Sequence, residues 1–153
     1  MKTLEIPFNR HLEIEKADSN TDYIFCLKAN KRLVNHLEAM HASALFSVAE
    51  ATSGEFLINE FEELINEVIP VVRKAEVKFS KPVFDSVYSK AGYFQTNKIE
   101  VLNGLHKNKR TIIRVKVDLY NEKQEKVFTS VFDWFIIKKE QDSTYNTVKN
   151  TEK

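Results

Sequence analysis

Between Ala39 and Gly54 a single charged side chain, Glu50, interrupts a run of apolar and small residues. An ionised carboxylate inside a packed element costs on the order of several kcal/mol unless it is paired or hydrogen-bonded. Two readings follow from the residue itself. Glu50 either sits on a solvated edge or against a lysine of a neighbouring element, or it is held there to do acid–base work. His41 lies nine residues before it and Asn35 six before His41. A histidine at a helix start serves as a cap or packing group as well as a catalyst, and Asn35-x-x-Glu38 also fits a capping box. Other chemistry is poorly served. Cys26 lacks an activating neighbour, and His11, His36, His41 and His106 have no zinc-ligand spacing with it. There is no GxSxG elbow, no Gly-rich phosphate loop and no HExxH. No metal site is expected.

The elements that must position these residues are legible from periodicity. Met40 to Leu57 reads as one helix, apolar or small nearly all round, which marks a helix enclosed on most sides. Phe61, Leu64, Ile65 and Val68 either extend it or add a turn before Pro70. Residues 6–13 form a short N-terminal helix or turn, and Tyr23 to Lys28 a first strand. Four strands follow the helix: Val71 to Phe79, Val83 to Phe94, one centred on Ile113 to Leu119, and Val127 to Ile137. A short helix from Lys98 to Leu105 precedes the last two, which are joined by a hairpin turn over Asn121 to Lys126. One helix and a run of antiparallel strands must bury the helix on one face of the sheet. The expected architecture is a single α+β domain over residues 1–137, followed by a polar tail over 138–153.

Composition narrows the function further. The 153 residues carry 23 Lys plus Arg against 22 Asp plus Glu, a formal net charge of +1 with no basic run. That balance does not favour a nucleic-acid or membrane-surface partner. The longest weakly charged stretch is shorter than the ~20 apolar residues of a membrane span. No apolar stretch with a cleavage site marks a signal peptide, and one cysteine closes no internal disulfide. A cytoplasmic protein is the expectation.

Read together, Asn35-His36-Leu37-Glu38-Ala39-Met40-His41-Ala42-Ser43 and the stretch on to Glu50 resemble a known signature. It is that of hotdog-fold acyl-CoA thioesterases of the phenylacetate-pathway and 4-hydroxybenzoyl-CoA type. There an Asn leads by six to a His-Gly-Gly helix start, and an Asp or Glu follows nine after the His. Asn35, His41 and Glu50 keep both spacings, and Phe79-Ser80-Lys81-Pro82 is similar to the Phe-x-x-Pro that ends the family's second strand. The likeness spans about residues 22–137. Ala42 and Ser43 stand in place of the two glycines, and Glu38 in place of a loop glycine, as in a subgroup with His-Ala starts.

The resemblance implies a curved antiparallel sheet around a long central helix, and homodimers or dimers of dimers with sites at the subunit interface. Helical geometry agrees. Nine residues at ~100° each place His41 and Glu50 on opposite sides, ~13 Å apart along the axis, so a site using both is shared between chains. By this resemblance the Ala42 N–H would bind the thioester oxygen. Glu50 of the partner chain would be general base or nucleophile. Asn35 would hold water or the carbonyl, and His41 would fix the helix start. No metal or redox cofactor is implied; coenzyme A enters as part of an acyl-CoA substrate, and Lys81 is one candidate for its phosphates. The alternatives are a non-catalytic hotdog protein that binds acyl-CoA or an acyl chain, and a helix-grip lipid carrier.

Overall fold

The computed structural model describes residues 2–139. After a 3-10 turn over Thr3–Glu5, the elements are α1 (Pro7–His11), β1 (Glu15–Lys16), β2 (Phe25–Leu27) and a 3-10 turn at Lys31–Leu33. Then come α2 (Ala42–Glu60), β3 (Val68–Phe79), β4 (Val87–Tyr93), α3 (Lys98–Asn108), β5 (Arg110–Tyr120) and β6 (Lys126–Lys138). The six strands form one antiparallel sheet in the order β1-β2-β4-β5-β6-β3. The sheet wraps α2, which gives the α+β hotdog fold that the resemblance implied.

Strand pleating decides which residues meet the helix, because successive side chains alternate between faces. Ile113, Val115, Val117 and Leu119 on β5 are fully buried, and so are Phe128 and Phe132 on β6. They pack against Leu45, Val48, Ala49 and Leu57 of α2. The helix is Ala- and Ser-rich where the sheet closes on it. Thr52 and Ser53 are buried without loss, since Thr52 Oγ1 donates to Val48 O and reaches Ser89 Oγ at 2.7 Å. Ser53 Oγ in turn accepts from Trp134 Nε1 at 2.9 Å.

Several boundaries differ from the sequence reading. The helix starts at Ala42 rather than Met40 and runs on to Glu60, while residues 61–67 are turns instead of further helix. The next strand begins at Val68 and carries Pro70 inside it, which an edge strand tolerates because the missing N–H can face outward. The segment expected as a strand from Val83 is extended only from Val87, and β1 was not expected. The final strand includes Lys138, and Lys139 still donates its amide to Glu67 O at 2.8 Å. Residues 140–153, most of the expected polar tail, lie outside the described residues. Among those described, no helix is long and apolar enough to cross a membrane.

Candidate functional site

The chain enters α2 through a tight hairpin. Asn35 N donates to Ala39 O at 2.8 Å and Val34 bridges Met40, so residues 35–39 fold back on themselves. Asn35 shapes this loop from inside: its Oδ1 accepts from Leu37 N at 2.8 Å and Ala39 N at 3.3 Å. Two backbone N–H groups on one side-chain atom identify that atom as the oxygen, and the Asn35 Nδ2 is left with no acceptor among the described residues. The capping-box reading of Asn35 therefore gives way to a loop-forming one. Glu38 sits in the turn at φ 60°, the left-handed region where an L side chain is strained and glycine is not.

His41 is the N-cap of α2. Its extended backbone (φ −63°, ψ 140°) stops the helix, and its Nδ1 accepts from Ser43 N at 3.0 Å. The His41 carbonyl takes the N–H groups of Ala44 and Leu45. Three of the first four helix N–H groups are thereby used. The fourth, Ala42 N–H, finds no acceptor among the described residues and lies at an exposed position. An unpaired N–H at the positive end of a nineteen-residue helix is a donor prepared for negative charge.

Glu50 lies on the one stripe of α2 that the sheet leaves open, with Ser43, Phe46, Ser47 and Gly54. Phe46 meets the Phe132 ring edge-on at 5.5 Å, and Gly54 faces the Trp134 indole. Phe132 and Trp134 pair with Ala75 and Val72 of β3, so this stripe looks toward the free edge of the sheet. The half-buried Glu50 carboxylate has no hydrogen bond or ion pair among the described residues, and burial pushes its pKa up from the ordinary value. The lysine partner considered for it is absent there. A partly desolvated, unpaired carboxylate is a stronger base than an exposed one.

The structure brings Asn35, His41 and Ala42 together in one loop and helix start, and holds Glu50 about two and a half turns further along. Cys26 is buried, and burial raises its thiol above its ordinary value, which makes it a poor nucleophile. Lys81 has its ammonium on Glu125 at 2.7 Å. Sequence reading missed the apolar surroundings of the helix start. Leu37 and Phe84 are 64% and 66% exposed, and they sit on loops joined through the 2.7 Å bond from Met40 N to Val83 O.

Solved structures share this architecture at low identity. A Pseudomonas aeruginosa protein of unknown function superposes with a TM-score of 0.76 at 19% identity, covering 90% of this chain and 91% of its own. A thioesterase from Haemophilus influenzae gives 0.67 at 16%, covering 88% and 85%. A Bacillus halodurans protein solved with CoA gives 0.60 at 16%, covering 82% and 72%. A comparison with curated proteins finds no match. The family model described as a domain of unknown function, DUF4442, matches residues 7–136, and the chain belongs to that family.

Proposed function

We propose that this protein is an acyl-CoA thioester hydrolase whose site is shared between two protomers. The observation that carries the reading is the unpaired Ala42 N–H at the start of α2. Hydrolysis of a thioester builds negative charge on the carbonyl oxygen, and a fixed donor at a helix N-terminus stabilises it as it forms. Glu50 of the second protomer is the general base on water, or the nucleophile that gives an acyl-enzyme anhydride. Asn35 Nδ2 holds the water or the carbonyl, and His41 keeps the Ser43 N–H occupied so that Ala42 alone faces the substrate. No metal or redox cofactor enters this scheme, and coenzyme A is the leaving group.

Two features support a homodimer. Among the described residues, β3 is a twelve-residue edge strand with one side unpaired, and a long free edge invites pairing with a second copy about a two-fold axis. Glu50 faces that edge, where a second protomer would approach. The fold resemblance is also compatible with a protein that binds acyl-CoA without turnover.

The experiment is a thiol-release assay over short, long and aryl acyl-CoAs, on the native chain and on Ala42→Pro. Proline at the first helical position costs little, since that N–H makes no helical bond and φ is already suitable. His41 has the extended backbone that a residue before proline requires. The variant keeps its melting temperature and loses about 10²- to 10³-fold in kcat, the usual effect of deleting an oxyanion donor. Unchanged turnover in a folded Ala42→Pro protein removes the N–H from the mechanism.

A further inference from the structure

We propose a second binding site, beyond the far end of α2 from Ala42, for a small amphipathic carboxylate with a hydrocarbon or aryl tail. The site is a cavity of about 390 Å³ between α3 and the stretch that leads into β3. Helical spacing builds one wall. Leu102, Leu105, His106 and Lys109 stand at i, i+3, i+4 and i+7 on one face of α3, the last at its C-cap. Leu64, in the turns after α2, and Val68, the first residue of β3, form the opposite wall. Two backbone bonds tie the polar lining together. Lys138 N donates to Lys109 O and Lys139 N to Glu67 O, each at 2.8 Å. The first sets Lys109 and Lys138 side by side.

Volume and lining together select the ligand. A cavity of this size with apolar walls and a few convergent polar groups has the composition of a small-molecule site. Val68 and Leu105 are buried and Leu64 and Leu102 half-buried, a surface that an alkyl or aryl group would cover. The charge is unbalanced. Glu67, the one carboxylate of the lining, lies 3.5 Å from Lys138 Nζ, whereas Lys109 has no ion pair among the described residues. Lys109 also sits at φ 59°, where glycine is the unstrained C-cap residue. A cation at a helix C-terminus is favourable in itself, but strain of this kind is retained where a side chain has a contact to make. An inorganic anion would leave the leucines uncovered, and a neutral hydrocarbon would leave Lys109 unanswered. One surplus positive charge beside an apolar wall therefore fits a monoanionic carboxylate with a tail. Within a protomer the nineteen residues of α2, roughly 27 Å, separate this cavity from Ala42, so the proposal does not depend on the hydrolase reading.

Calorimetric titration of the full chain with octanoate, hexanoate and octan-1-ol tests the site, on the native protein, Lys109→Gly and Leu102→Gln. Octanoate binds the native protein saturably, and tighter than hexanoate by up to about fourfold per methylene, the value of a buried CH₂. It also binds about fivefold or more tighter than octan-1-ol, which has the tail without the charge. Lys109→Gly, relieved of its backbone strain, melts at or above the native protein. In that variant the preference for octanoate over octan-1-ol falls to within about twofold. Leu102→Gln weakens both ligands alike. Absence of saturable octanoate binding overturns the proposal. Octanoate binding unaltered in folded Lys109→Gly also overturns it, because the carboxylate then sits elsewhere, the surroundings of Ala42 included. The expected pattern in a protein that hydrolyses no acyl-CoA upholds the cavity and refutes the hydrolase reading alone.

Discussion

Glu50 has a pKa raised by burial alone, and that has two separable consequences. The folded chain holds a proton on this group at pH values where the unfolded chain has released it. Stability linked to Glu50 is thus fully present below the unfolded value, near 4.5, and is lost as pH rises through the raised folded value. Glu50→Gln, neutral at every pH, melts at or above the native protein at pH 7, and the difference closes as pH falls below about 4.5. Thermal melts across that range check it. In the assay the same variant loses about two or more orders of magnitude in kcat, as removal of a general base does. A purely structural Glu50 predicts near-native turnover. Asn35 divides the same way. Asn35→Asp keeps an oxygen that accepts from Leu37 and Ala39 and replaces the Nδ2 donor with a second, charged acceptor at an incompletely buried position, so stability holds within about 1 kcal/mol. Its kcat/KM falls tenfold or more if that donor holds water or carbonyl, and it is unchanged if Asn35 only shapes the loop.

At the scale of elements, the loop into α2 is built under strain. Glu38 at φ 60° costs roughly 1–2 kcal/mol relative to a residue free to adopt that region, of which glycine's extra unfolded-state entropy returns about 0.5–1. Glu38→Gly should therefore raise stability by about 0.5–1 kcal/mol, read from denaturant midpoints. Strain of this kind shows why some elements were legible in the sequence and others were not. The long strands were legible because burial on one face imposes a period of two, as in Ile113, Val115, Val117 and Leu119. The helix was legible as a small-residue run that only a wrapped element needs. Its start was displaced because Met40, apolar enough to look helical, bonds Val83 O and bridges Val34 instead. The two-residue strand Glu15–Lys16 is a backbone pairing with both side chains exposed, so no pattern announces it. For the site, the spacing of Asn35, His41 and Glu50 was visible. The Ala42 N–H was named only through the resemblance, and what the sequence did not show is that His41 Nδ1 takes the next N–H and leaves this one unpaired among the described residues. The exposed apolar side chains beside the helix start were equally hidden, because Leu37 and Phe84 come from separate stretches whose loops the fold joins through Met40 N and Val83 O.

At the scale of the molecule, His41 and Glu50 on opposite sides of one helix cannot meet on a single carbonyl, and in the proposed dimer the β3 edge would supply the surface on which a second copy completes the site. The protein should sediment as a dimer or a dimer of dimers at micromolar concentration, and a folded monomer alone would remove the shared site. The most direct measurement mixes two inactive variants. Ala42→Pro lacks the donor and Glu50→Gln lacks the base, and each is inactive by itself. After subunit exchange at equal concentrations, half of the dimers are mixed, and each of those holds one site with both groups intact. Thiol release should return to about a quarter of the native rate, as two-fold symmetry with sites shared across the interface requires. A mixture that exchanges subunits, shown by mass or label, yet stays as inactive as its parents would contradict the account.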